Sequence, residues 1–166
     1  MALILGIDPG SQKTGFGIIA FQSGRSEYVT SGVIRLPRVS LPERLKIIYD
    51  SVGEIVAEHC PQELAIEEVF LARDAKAAIK LGQARGAAIV ACVNQGMPVY
   101  EYAAKSIKQA VVGTGSAEKA QVQHMVKSLL RLPAAPKEDA ADALAAALCH
   151  AHTQQYLVRQ ARSRRR

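Results

Sequence analysis

The sequence predicts an α/β domain: a mixed five-stranded sheet with helices on both faces. Two observations carry this. The chain opens on three apolar, strand-like runs broken by turn residues, which favours antiparallel hairpins. Helical and strand periodicities then alternate, which adds parallel strands through helical crossovers. At 166 residues, 49% of them hydrophobic, the chain is long enough for one domain with a core of its own.

The strand runs are residues 2–8, 14–21 and 28–36, separated by Pro9-Gly10-Ser11 and Ser23-Gly24. Ser40 stands three before Glu43, a capping box, and Leu41, Leu45, Ile48, Val52, Ile55 and Val56 follow at helical spacing. Residues 64–70 read as a fourth strand. Asp74 caps a long helix reaching about residue 94, and 98–102 is a fifth strand. The remainder is helical apart from loops at 112–115 and 132–137. Within the long helix Ala78, Gly82 and Gly86 recur every four residues, a flat stripe that admits a close neighbour. Packing onto the chain's own sheet is the first expectation for it, a subunit interface the second.

The net charge of +6 is concentrated at one end: Arg159, Arg162, Arg164, Arg165 and Arg166 account for all but one of it. We therefore expect a single domain over 1–156 to be nearly neutral and 157–166 to be a basic, disordered tail, either solubilising or touching phosphates. Cys60, Cys92 and Cys149 are odd in number and far apart, a poor fit to disulfides or a cysteine-rich zinc site. No stretch has the charged start, apolar middle and small-residue cleavage site of a secretory leader, so a cytoplasmic location is expected.

Several acids resist a structural explanation. Asp8 ends the first apolar run, where a carboxylate is costly to bury alone; it either shapes the Pro9-Gly10 turn or holds something positive. Glu67 and Glu68 interrupt "LAIEEVFL", and strand alternation sends one to each sheet face. Asp139 lies near a helix start, where capping alone would explain it. Asp142, three residues on, shares its face on a helix that is apolar on most sides. Acids from two strands and one helix can converge at one sheet edge, where repelling carboxylates are tolerated around cations. Oxygen-only ligands suit Mg²⁺ or Mn²⁺ rather than zinc. Two such ions, about 3.5–4 Å apart, serve phosphodiester hydrolysis. Glycoside hydrolysis also uses paired acids, but the chain has no Trp to form a sugar platform.

"GIDPGSQKTGFGI", "AIEEVFLARDAKAAIKLGQARGAAI", "VVGTGSAEKAQVQHMV" and "DAADALAAALCHAH" occur in this order, and together they resemble the RuvC-type crossover junction endodeoxyribonucleases, the Holliday junction resolvases of bacteria. The likeness spans nearly the whole chain except the basic tail. It implies a ribonuclease-H-like fold, a homodimer, partnership with the RuvA–RuvB branch-migration machinery, and paired nicks that leave 5′-phosphate and 3′-hydroxyl ends. By that resemblance Asp8, Glu67, Asp139 and Asp142 are the catalytic metal ligands, for two Mg²⁺ ions with Mn²⁺ able to substitute. Glu68 falls outside the acid set. Phe70 matches an aromatic near the junction centre, consistent with stacking on an unpaired base. Lys108 and Lys119 match basic residues that handle DNA; Arg73, Lys76 and Lys80 are further candidate phosphate contacts for which surface charge is the first expectation, and Arg73 is carried into the DNA-binding set. Lys119 is independently odd, a cation in the first turn of a helix, where a bound phosphate would relieve the conflict with the dipole. A junction has two equivalent strands to cut, which suits a twofold dimer; Ala78, Gly82 and Gly86 are its candidate interface. His124, His150 and His152 are expected to be structural or surface residues.

Two other readings compete. A non-catalytic junction-binding module would need none of the four acids, yet all are present. An actin-like ATPase or sugar kinase shares a related fold and an acid-glycine loop, but needs a duplicated domain and a second phosphate loop that this length does not hold.

Overall fold

The computed structural model describes residues 1–69 and 74–164. Five strands form one sheet: β1 (Ala2–Asp8), β2 (Lys13–Gln22), β3 (Arg25–Arg35), β4 (Glu63–Glu67) and β5 (Val99–Tyr102), in the spatial order β3-β2-β1-β4-β5. The pairs β1/β2 and β2/β3 are antiparallel, while β1/β4 and β4/β5 are parallel. The helices are α1 (Leu41–His59), α2 (Ala75–Val93), α3 (Ala104–Val112), α4 (Lys119–Leu129) and α5 (Glu138–Ser163). This is the expected mixed sheet with two opening hairpins.

Helices cover both faces, which is why β1 and β4 read as continuous apolar runs rather than alternating ones. Leu5, Ile7, Leu64 and Ile66 point to one core with Ile48, Val52 and Val56 of α1 and Ala84, Ala88 and Cys92 of α2. Ile4 and Ala65 point to the other, with Ile107 of α3, Val122 and Val126 of α4, and Leu144 and Leu148 of α5. The capping box at Ser40 and Glu43 forms as expected, and Asp74 caps α2 through Lys76 N–H and Ala77 N–H.

Three expectations are corrected. The fourth strand ends at Glu67 rather than 70, because its last register partner, Tyr102, ends β5. Gly82 and Gly86 do not pack on the sheet: a Cβ at either would meet nothing within 4 Å. Ala84, Ala88 and Ala91 do that work, and only Ala78 of the stripe is buried. Lastly, α5 continues through the 156/157 boundary to Ser163. Residues 157–163 contain no Gly or Pro, and Leu, Gln, Arg and Ala sustain a helix.

Candidate active site

The position of Asp8 follows from three glycines that the opening motif places on β1 and β2. Gly15 is the register partner of Asp8, and a Cβ there would stand 2.0 Å from the Asp139 carbonyl oxygen. Gly6, two residues before Asp8 and on its face, would meet the Ala143 carbonyl at 1.9 Å, and Gly17 would meet the Leu144 side chain at 2.5 Å. Only hydrogen fits at these contacts. They form a flat seat for the first half of α5, and its start therefore lies beside the end of β1. Asp139 and Asp142 are carried there by the backbone itself.

Glu67 arrives from the adjacent strand. Ala65 belongs to the α5-side core, and strand parity puts Glu67 on that same face, leaving Glu68 on the other. Arg85 of α2 fixes the strand end: its Nε donates to the Glu67 carbonyl at 2.9 Å, and its guanidinium pairs with Glu101. The turn after Asp8 is pinned as well. Thr14, fully buried, accepts from Gly10 N–H at 3.4 Å and donates to the Gly10 carbonyl at 3.2 Å, while Arg44 Nη1 donates to the Ser11 carbonyl at 2.7 Å.

These elements enclose a cleft of about 260 Å³ lined by Asp8, Glu67, Asp142, Lys108 and Lys119, with Ile107 and Val122 as apolar wall. Asp139 stands at its margin, with Lys13 Nζ 3.5 Å from its Oδ2. Burial, reinforced by the charges of Asp142, Glu67 and Asp139, pushes the Asp8 carboxyl up to about 7, against the opposing pull of Lys119. Burial and the charge of Asp142 raise Glu67, against Lys108 and Lys119. Burial raises Asp142 too, partly offset by Lys119. Three half-buried carboxyls therefore make one another harder to ionise, the electrostatic condition that a cation among them would relieve.

The donor set is oxygen-only, which fits a hard divalent cation. The carboxylates share a cleft without being drawn into one tight shell: among the described residues, no three His, Cys, Asp or Glu side chains are gathered closely enough to hold an ion. Asp8, Glu67 and Asp142 nevertheless feel one another's charge across the cleft, and we take that coupling, together with their shared lining, as the fit to a cation site.

Lys119 is the first residue of α4, in the unfavourable dipole position expected. Its ammonium pairs with Glu138 and stands 3.8 Å from Asp142, and these carboxylates offset its conflict with the helix dipole. That partner holds the Glu138 carboxyl low. Phe70 and Arg73 lie outside the described residues. Sequence reasoning missed Lys13, Glu138, Arg85 and Thr14. Lys13, Glu138 and Arg85 each act on an element distant in the chain, so no local pattern marked them.

Residues 4–150 match the family model described as crossover junction endodeoxyribonuclease RuvC. Among curated relatives, a crossover junction endodeoxyribonuclease RuvC from Tolumonas auensis is 60% identical, covering 97% of this chain and 93% of the relative. One from Saccharophagus degradans is 61% identical, covering 99% and 95%. Among solved structures, Thermus thermophilus RuvC in complex with a Holliday junction substrate superposes with a TM-score of 0.87 at 36% identity, covering 94% of this chain and 96% of that one. With a family match across most of the sheet and helices, and relatives this similar over nearly their whole length, the chain belongs to the RuvC family of crossover junction endodeoxyribonucleases.

Proposed function

We propose that this chain resolves four-way DNA junctions by hydrolysing one phosphodiester in each of two symmetry-related strands, serving recombination and repair. Three mutually repelling carboxylates from β1, β4 and α5 in one cleft, flanked by Lys108 and Lys119, are the observation that carries the reading. The family is one of divalent-metal-dependent nucleases. Asp8, Glu67, Asp139 and Asp142 would hold the metal, two Mg²⁺ ions in our reading, with Mn²⁺ as a substitute. Bound there, such ions supply an activated water and neutralise charge at the leaving oxygen.

The chain's own residues do the rest. Lys108, Lys119 and Lys13 ring the acids with positive charge, so a phosphate entering the cleft meets ammonium groups before carboxylates. Lys119 can exchange Glu138 for a phosphate oxygen without leaving the first turn of α4, where amide N–H groups also favour an anion. Ile107 and Val122 keep one wall dry and strengthen the electrostatics beside the scissile group. Phe70 and Arg73 retain their motif-based roles, stacking on an unpaired base and contacting phosphate. The products are 5′-phosphate and 3′-hydroxyl ends.

Two symmetric cuts call for two equivalent sites, and we place the twofold contact on α2. Ile79, Val90 and Val93 are 62%, 56% and 53% exposed, and with Gly82 and Gly86 they form one stripe along that helix. A cytoplasmic location and cooperation with RuvA–RuvB belong to the same reading and rest on family membership. Among the described residues, no helix is long and apolar enough to cross a membrane.

The test is cleavage of a mobile four-way junction beside a linear duplex, with Mg²⁺ or EDTA, by wild type and Asp8→Asn. We expect symmetric nicks in the junction only, lost in EDTA, and reduced at least about 10²–10³-fold by Asp8→Asn with binding preserved. Junction binding without cuts in any divalent metal would leave a binding module in place of an enzyme.

A further inference from the structure

His150 lies in the middle of α5 and is fully buried, as are few polar side chains in this molecule. Both of its ring nitrogens are engaged, each by a different strand. Nδ1 is 2.6 Å from the Tyr102 hydroxyl at the end of β5, and Nε2 is 2.8 Å from Glu63 Oε2 at the start of β4. One proton arrangement satisfies all three groups: Tyr102 O–H donates to Nδ1, and Nε2–H donates to the Glu63 carboxylate. The Tyr100 ring, its centroid 4.3 Å from the imidazole centroid, closes the remaining side.

The partners matter because of what else their elements carry. Glu63 and Glu67 are the two ends of β4, about 13 Å apart at ~3.3 Å per residue. His150 and Asp142 are eight residues apart on α5, about 12 Å at 1.5 Å per residue. Tyr102 is the register partner of Glu67 itself. A rigid link between His150 and Glu63 thus sets the axial position of α5 against β4, and with it the offset of Asp142 from Glu67. The glycine seat sets how closely α5 lies on β1 and β2, whereas the His150 pair ties the helix directly to β4 and β5. Ala145 and Ala146 of α5 share a core with Ala65 of β4, a contact between small side chains that carries no directional bond of its own.

We infer that His150, through its paired hydrogen bonds to Glu63 and Tyr102, is a positioning residue for catalysis that fixes Asp142 relative to Glu67. The inference rests on the resolvase reading above. Removing the link substitutes neither Lys108 nor Lys119 and lets Asp142 drift against Glu67, and metal binding is sensitive to the outer groups that position its ligands.

The experiment compares wild type with Tyr102→Phe, His150→Phe, Glu63→Leu and Glu63→Gln in four measurements: thermal melting, junction binding in EDTA, single-turnover junction cleavage, and the Mg²⁺ concentration giving half-maximal cleavage. Expected are folded variants that bind the junction as wild type does in EDTA. Their cleavage should fall about 10–100-fold, with half-maximal Mg²⁺ shifted upward. Glu63→Gln keeps an acceptor for Nε2–H and should lose less than Glu63→Leu. If His150→Phe fails to fold, Tyr102→Phe, which removes one hydroxyl, carries the test. Wild-type cleavage at an unshifted Mg²⁺ midpoint in folded Tyr102→Phe and Glu63→Leu overturns the inference. So does a loss of cutting that merely tracks a loss of binding and of melting temperature. A wild type that cuts no junction overturns the resolvase reading, and the inference with it.

Discussion

At Asp8 burial and three like charges act in the same direction, and the carboxyl is pushed up to about 7 from an ordinary value near 3.8. The sign of the stability effect follows. Between about pH 4 and 7 the folded metal-free protein holds a proton on Asp8 that the unfolded chain has lost, so unfolding releases a proton and stability falls as pH rises. Glu67 and Asp142 are shifted upward as well and add to the same trend. In EDTA, wild type should therefore melt at progressively lower temperature across this window, while Asp8→Asn, which cannot ionise there, should show a shallower decline and be the more stable protein at pH 8. Parallel melting curves across the window would mean that Asp8 is not electrostatically strained. The same residue change should abolish cutting, so stability and activity move in opposite directions, as expected of acids held together for a cation.

At the scale of elements, the site depends on how closely α5 lies on β1 and β2. The buried face of α5 is mostly alanine, and the strands answer with glycine, so backbone meets backbone. This makes a methyl group an obstruction. Gly6→Ala would place its Cβ 1.9 Å from the Ala143 carbonyl and force the helix outward. We expect a loss of about 1–3 kcal/mol in chemical denaturation, accompanied by slower junction cleavage, because Asp139 and Asp142 move with the helix. Unaltered stability would show that α5 does not seat on Gly6 as described. The two opening hairpins, the capping box at Ser40 and the alternation of helix and strand were legible in sequence because each is a local pattern. The glycine seat was not, since Gly6, Gly15 and Gly17 acquire their meaning only from a helix more than a hundred residues away.

For the whole molecule, the exposed stripe on α2 is the surface we propose for pairing two active sites. Gly82→Leu tests it at a position where an added Cβ would meet nothing within 4 Å, and replacing an interior helical glycine favours the helix by up to about 1 kcal/mol. Light scattering should show a shift from dimer to monomer, and junction cleavage should change from paired to single nicks. An undiminished dimer would remove α2 as the interface. The expectation that this stripe packs on the chain's own sheet failed for a simple reason: small residues at four-residue spacing mark a close approach without saying to what.

Taken alone, the sequence determined the strand and helix pattern, the face that Asp139 and Asp142 share, and a family whose motifs single out Glu67 from its neighbour. Those features are periodic or contiguous, so a linear reading holds them. Only the tertiary structure decided that Lys119 is held by Glu138 and Asp142, that Lys13 guards Asp139, that Arg85 pins the end of β4, and that His150 ties Glu63 to Tyr102. Each of these joins residues from elements distant in the chain, through single contacts with no periodicity to announce them. Charge partners and hydrogen bonds of this kind come into being when the sheet order brings the elements together.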